Sequence, residues 1–325
     1  MSDIAMIHAA AERFASVGRV TPLLSSDFLD EIAGRRLLIK AECLQHTGSF
    51  KFRGGWSRLS ALTEAERQRG VLAFSSGNHA QGVARAAKLL NSPAVIVMPE
   101  DAPRIKIENT RSYGAEIVTY DRESGDRDAI GGVIAAERGM TVVPPYDDPH
   151  VIAGQGTAGL EIAAQAKAAG VETADVAVCC GGGGLASGIA LALAEEAPGL
   201  RVRTAEPERF DDMARSLAAG RPISNPSQSG SICDAIVTMT PGELTLPILA
   251  NHAGPGLVVR EEECLRAMGL AWQRLKIVLE PGGAAALAAA LFQPESFDGD
   301  TVIAVATGGN VDPAIFARAL ATLEP

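Results

Sequence analysis

Lys51 stands in the stretch CLQHTGSFKFRGG (43–55), between Phe50 and Phe52, with Thr47, Gly48 and Ser49 before it and Arg53, Gly54 and Gly55 after. A lysine in water, with a pKa near 10.4, is unprotonated in only roughly 4 molecules per 10,000 at pH 7. An apolar, glycine-lined pocket lowers that pKa and makes the amine a nucleophile toward carbonyl carbon. A second candidate is the loop CCGGGG, where Gly181, Gly182, Gly183 and Gly184 separate an apolar run from a helical one. Glycines let successive backbone N–H groups turn toward one point, and a following helix adds its positive end, so the loop can cradle an anion. It lacks the Gly-Lys-Ser/Thr ending of a nucleotide P-loop and the spaced glycines of a dinucleotide site. A single phosphate monoester is left as its ligand, with a flexible surface turn as the alternative. The third candidate is SSGNHAQG (75–82), where Ser75, Ser76, Gly77, Asn78 and His79 open a helical stretch. Such a start can hold a carboxylate, or it can be an ordinary helix cap with a structural histidine.

The elements that must position these residues are short β-branched runs alternating with alanine-rich helical stretches. RLLIKAEC, GVLAFSS, PAVIVMP, AEIVTY, MTVVPP, DVAVCC, RVRTAEP and TVIAVATGG read as strands. NHAQGVARAAKLL, DAIGGVIAAERG, GTAGLEIAAQAKAAG and LASGIALALAEEA read as helices. Alternation at this spacing predicts an α/β fold with parallel sheets covered on both faces. Ligands of such folds bind at the carboxyl ends of strands, where SSGN, the glycine loop and VATGGN (305–310) all fall. One converging site is expected. At 325 residues the chain exceeds one compact core, and 47% hydrophobic residues are ample to bury one large domain or two smaller ones. A net charge of −10 argues against a nucleic-acid partner, and 4% aromatic residues leave little for base stacking. No apolar run is long enough to cross a bilayer, and the N-terminus lacks the pattern of a secretion signal, so no membrane and a cytoplasmic location are expected. The five cysteines form neither a disulfide framework nor a zinc pattern, which suits a reduced compartment.

An aldehyde that also carries a phosphate would satisfy Lys51 and the glycine loop together, and pyridoxal 5′-phosphate is such a molecule. TGSFKFRGG, SSGNHAQG, VIAGQGT, the tetraglycine loop and TGGN occur in the order seen in fold-type II pyridoxal-phosphate enzymes. From about Ala10 to Leu323 the chain resembles the serine/threonine dehydratase and serine racemase family. The resemblance implies two open, twisted, mostly parallel sheets with helices on both faces and the cofactor in the cleft between two domains. The large domain would comprise 1–61 and 148–325, and a smaller one, 62–147, would close on the substrate. Lys51 then matches the lysine that carries the cofactor and later acts as general base. Phe50 would pack on the pyridine ring and Asn78 would bond its 3′-oxygen. Gly181, Gly182, Gly183, Gly184 and Leu185 would hold the phosphate, and Thr307 would place a neutral hydroxyl beside the pyridine nitrogen. A neutral hydroxyl makes the ring a weaker electron sink, which favours prompt loss of a β-substituent over transamination.

Ser76 matches the second acid/base of the racemases; a contact to the substrate carboxylate is the other reading. Ser75, Gly77 and His79 are the remaining expected substrate contacts. Because TGGN stands about fifteen residues before Pro325, no C-terminal regulatory region like that of the biosynthetic threonine dehydratases is expected, and threonine, serine or 3-hydroxyaspartate is the expected substrate. A second carboxylate needs a cation in the pocket. Arg127, in DRESGDRDAI, aligns with an arginine that meets dicarboxylates in the racemase-like members, although a solvated arginine in a charged run is the alternative. The expected reaction is elimination of water from 3-hydroxyaspartate, with a threonine/serine dehydratase or serine racemase next. Ala235 stands where the family often has glycine. The family also implies a divalent cation, with Mg²⁺ favoured over Mn²⁺ or Ca²⁺, held by Glu206, the carbonyl of Phe210 and Asp212; a self-capped acidic helix start is the alternative. A homodimer is implied as well. A non-catalytic binding protein on the same fold is the reading from another class, against which the intact Lys51, Ser76 and Asn78 speak.

Overall fold

A computed structural model describes residues 2–324 other than 76, 101, 103 and 122–125, and the side chains of all of these but 104–106 and 128. The elements in chain order are α1 (Ile4–Phe14), β1 (Leu23–Ser25), α2 (Asp27–Ala33), β2 (Arg36–Ala41), α3 (Lys51–Ser60), α4 (Glu64–Arg69), β3 (Val71–Phe74) and α5 (Asn78–Leu89). Then come β4 (Ala94–Pro99), α6 (Arg104–Ser112), β5 (Glu116–Tyr120), α7 (Arg127–Arg138), β6 (Thr141–Val142), α8 (Pro149–Ala168), β7 (Ala174–Cys179) and α9 (Gly184–Glu196). The last are β8 (Leu200–Pro207), α10 (Asp212–Ala219), α11 (Thr245–His252), β9 (Leu257–Val259), α12 (Glu261–Leu275), α13 (Pro281–Phe292), β10 (Thr301–Ala306) and α14 (Pro313–Ala321).

Two sheets result. The larger runs β1-β2-β10-β7-β8-β9, with only β1 antiparallel to its neighbour, and the smaller runs β5-β4-β3-β6, all parallel. Burial explains the choice of elements. Every residue of β4 and β7 is buried, as is every residue but the first of β2 and β10. Strands apolar on both faces need helices on both sides, which parallel crossovers supply. MTVVPP falls short of its expected length: only Thr141 and Val142 pair, because two prolines that cannot donate to a ladder follow at 144 and 145.

Local signals fix the helices that matter for the site. Asp148 caps α8 by accepting from His150 N and Val151 N at 2.8 and 3.0 Å, and Pro149 occupies the first position, where its missing N–H costs nothing. The alanine-rich α13 is buried along nearly its whole length against β7, β10 and α12. One core layer joins the larger sheet to α12 and α13, and a second joins it to α8 and α9. A third lies between α3, α5 and the smaller sheet. Helix α3, headed by Lys51, packs against both α5 and α8 and so lies where the two halves meet.

Candidate active site

Residues 49–51 are tied to the C-terminal end of β10. Phe50 N donates to the Thr307 carbonyl at 3.1 Å, and Ser49 forms an isolated bridge with Gly308. Thr307, expected to place a hydroxyl beside the pyridine nitrogen, is buried just past that strand end. Lys51 Nζ donates to the Pro145 carbonyl at 2.7 Å and lies 5.1 Å from the centre of the Phe50 ring. Burial lowers its pKa to about 8, while the Glu280 carboxylate pulls the other way. At neutral pH a useful fraction of the amine is therefore uncharged.

Asn78, the first residue of α5, is held at both ends of its amide. Its Nδ2 donates to Glu280 Oε1 at 2.5 Å, and its Oδ1 accepts from Asn310 Nδ2 at 2.7 Å. Asn310 Nδ2 also reaches the Thr47 carbonyl at 2.8 Å. Glu280 is buried, so the smaller sheet's helix meets a desolvated carboxylate from the larger half.

The glycine loop closes the third side. Gly183 has φ +92°, a left-handed conformation that disfavours any side chain, and it caps α9. The Tyr146 ring fills the space that a side chain at Gly182 would need, and the Tyr146 backbone crowds Gly184. Thr245 Oγ1 donates to the Gly182 carbonyl at 2.6 Å and so fixes the loop at the head of α9. Leu185 is buried in the first turn behind it.

The expected substrate contacts are placed less uniformly. Ser75 Oγ accepts from Gly77 N at 3.1 Å, a local turn at the head of α5. His79 is buried, and its Nε2 donates to the Val143 carbonyl at 2.8 Å. Burial and the nearby Lys51 push its pKa down to about 3, so the ring stays neutral and holds the chain between β6 and α8. Ser76 lies outside the described residues. Arg127 is exposed at the start of α7. Its charge is nonetheless felt at Tyr146: burial, Asp147 and Asp212 raise that phenol's pKa, and Arg127 opposes them.

Glu206 and Asp212 are both buried. Glu206 accepts from Met213 N and Ala214 N at 2.9 and 2.7 Å, and Asp212 Oδ1 accepts from Asn225 Nδ2 at 2.6 Å. Burial, then Asp212, pushes the Glu206 pKa well up, and burial raises Asp212 to about 6. Two neighbouring carboxylates are thus desolvated here, each held above its usual pKa. Among the described residues no group of three or more His, Cys, Asp or Glu could hold a metal. The expected set draws on two carboxylates and the Phe210 carbonyl.

Pro145, Tyr146, Thr245 and Glu280 were not sequence candidates. Asn310 had a signal, since it ends the TGGN motif, but no role attached to it. A separate cavity of about 780 Å³ adjoins Thr47, Gly48 and Asn310 and is not lined by Lys51 or the glycine loop.

An amine with a lowered pKa and an anion cradle are the two groups that a phosphorylated aldehyde requires, and the residues present fit pyridoxal phosphate. A family model described as "Pyridoxal-phosphate dependent enzyme" matches residues 15–308. The chain belongs to this family. This pyridoxal-phosphate enzyme is 44% identical over 311 residues to the L-threo-3-hydroxyaspartate ammonia-lyase of a Pseudomonas species, covering 96% of each chain. It is 39% identical to the serine racemase of Schizosaccharomyces pombe, covering 97% of this chain and 96% of the other. Among solved structures, the T.th. threonine deaminase superposes with a TM-score of 0.90 at 44% identity, covering 95% of this chain and 99% of that one. The enzyme thus has the fold-type II architecture of the dehydratase and racemase branch.

Proposed function

We propose that this enzyme eliminates water from 3-hydroxyaspartate, giving iminosuccinate that hydrolyses to oxaloacetate and ammonia. Identity alone does not choose the substrate, because a hydroxyaspartate ammonia-lyase and a threonine deaminase are both 44% identical to this chain. What supports the choice is that hydroxyaspartate ammonia-lyases or dehydratases recur among the relatives at 44, 40 and 38% identity, and that Arg127, exposed at the head of α7, supplies a cation on the side of Tyr146 and the glycine loop. A guanidinium there can pair with a β-carboxylate, which threonine and serine lack.

The bound cofactor supplies a carbonyl for the substrate amine and a ring that draws electron density from Cα. Gly181, Gly182, Gly183, Gly184 and Leu185 hold its phosphate, Phe50 packs on its ring, and Asn78 and Thr307 meet its polar edges. Lys51, once released, takes the Cα proton as general base. Its pKa of about 8 lets it both accept that proton and lose it again near neutral pH. Ser75, Ser76, Gly77 and the head of α5 bind the α-carboxylate, and Ser76 gives the opposite face a group that would support racemisation as a side reaction. His79 acts from behind by fixing the head of α5 to Val143.

The smaller sheet forms the closing domain, 62–147, against a large domain of 1–61 and 148–325. Glu206, the Phe210 carbonyl and Asp212 hold a divalent cation, Mg²⁺ foremost, that organises the start of α10. The protein works as a homodimer; exposed Phe28, Ile32 and Trp272, on the touching helices α2 and α12, offer apolar surface for it. A reducing, cytoplasmic location suits five buried free thiols, and no helix among the described residues is long and apolar enough to cross a membrane.

The test is a keto-acid assay on wild type and Arg127→Ala with hydroxyaspartate isomers, L-threonine, L-serine and D-serine. The reading expects kcat/KM for hydroxyaspartate to drop by a factor of about 100, as loss of a charged pair at a desolvated site does, with threonine turnover little changed. Preferred turnover of threonine, indifferent to the substitution, would make the enzyme a catabolic threonine dehydratase.

A further inference from the structure

Arg53 lies two residues beyond Lys51 in the first turn of α3, is buried, and has all five N–H groups bonded. Nε and Nη2 donate to the two oxygens of Glu42 at 2.7 Å each. Nη1 and Nη2 donate to the two oxygens of Glu161 at 2.7 and 2.9 Å, and Nη1 also reaches Thr157 Oγ1 at 3.0 Å. Lys40, equally buried on β2, spends its three donors on Glu161 at 2.6 Å, the Thr21 carbonyl at 2.8 Å and Gln165 at 3.0 Å. Two cations and two carboxylates make a quartet of zero net charge that joins the first turn of α3 to β2 and to α8.

Stability is a poor reason for such a cluster. Buried ion pairs recover little more than their desolvation cost, and apolar residues of the same volume often serve as well. Two forks on one guanidinium do something apolar packing cannot: they fix its plane and position in two directions. The group so fixed belongs to the turn that carries Lys51. Reacting groups misplaced by about 1 Å lose on the order of a hundredfold in rate. Glu280 is the charged group that bears on the Lys51 amine, so the neutral quartet leaves its proton affinity alone and acts on its location.

We propose that Arg53, Glu42, Glu161 and Lys40 together are the positioning element for Lys51, holding the first turn of α3 where the amine can meet the cofactor. This rests on the reading of Lys51 as the cofactor-linked lysine. Arg53 touches neither substrate nor cofactor in this role.

Two variants separate position from stability. Lys40→Met/Glu161→Gln keeps the cluster neutral while removing one charged fork, and Arg53→Lys keeps the charge while losing the planar fork. For each, apo-protein is mixed with pyridoxal phosphate and the rate of lysine–cofactor bond formation is read from the visible absorbance. Borohydride reduction and peptide mapping then locate the bond, and kcat, KM and Tm are measured on the holoenzyme. The expected result is a Tm within about 5 °C of wild type, KM within about twofold, and bond formation and kcat both slower by about tenfold or more. Folded variants with wild-type rates overturn the proposal, as does a rise in KM with kcat unchanged. If both variants fail to fold, the quartet is a stability element and the proposal falls too. A wild-type label on a lysine other than Lys51 overturns instead the assignment on which the proposal rests.

Discussion

Gly82 lies against the backbone of Lys51: a Cβ at Gly82 would stand 2.8 Å from the Lys51 carbonyl carbon and 2.9 Å from its oxygen. Helix α5 of the smaller half therefore touches the lysine's own peptide, with nothing but hydrogen between them.

Gly82→Ala tests how tight that contact is. Alanine inside a helix ordinarily gains about 0.5–1 kcal/mol over glycine. Here the obstruction is backbone, which cannot swing aside, and overpacking of this kind costs about 1–3 kcal/mol. The overlap wins. A net loss of stability in urea unfolding is expected, with a weakened visible band of the lysine-bound cofactor. Stabilisation would show that α3 and α5 are free to part.

Lys51 gives the cofactor-free protein a pH signature. Its folded pKa of about 8 lies below the ordinary 10.5, so between these values the unfolded chain binds more protons than the folded one. Stability from this group thus rises as pH climbs from 8 to 10.5, and its full penalty of about 3 kcal/mol is present below pH 8. Lys51→Met apo-protein should be more stable than wild-type apo-protein at pH 7, with the difference closing by pH 10.5. A constant difference across that range in denaturant midpoints would contradict the burial of the amine.

Asp212 runs with the opposite sign. Its folded pKa of about 6 exceeds the ordinary 3.8, so the folded state keeps a proton that the unfolded state has given up. Stability from this group is lost as pH rises from 3.8 through 6, at a cost on the order of 2 kcal/mol once solvent at its edge is allowed for. Asp212→Asn should therefore raise Tm at pH 7.5 in chelator. Added Mg²⁺ should stabilise wild type and leave the variant unmoved; an equal response in both would remove the cation from this place.

Much of the site was legible because its chemistry is local in sequence. Lys51 among phenylalanines, the helix head at Asn78 and the four glycines each suggest a role within a few residues, and the strands that carry them pair as the apolar runs predict. What was not legible comes from far along the chain. Pro145, whose carbonyl takes the Lys51 amine, is 94 residues away, and Glu161, which grips Arg53, is 108. Lys40 sat inside a run read as a strand, yet no pattern in RLLIKAEC says that the lysine points inward to a carboxylate. His79 is a similar case. A histidine in a motif suggests a substrate contact, and nothing in SSGNHAQG announces that Val143, just past β6, places a carbonyl 2.8 Å from the ring.

The place of β10 between β2 and β7 has a consequence for how the molecule is made. Two strands of the larger sheet must wait for a partner that the ribosome delivers last among them. At about 5–20 residues per second, Thr307 emerges roughly 13–50 s after Lys51. Until then residues 49–51 lack their contacts to Thr307 and Gly308, and once β7 has emerged its edge and that of β2 both wait for β10. A chain stopped before β10 is therefore expected to leave the two buried strands β2 and β7 without their shared neighbour, with an apolar edge on each.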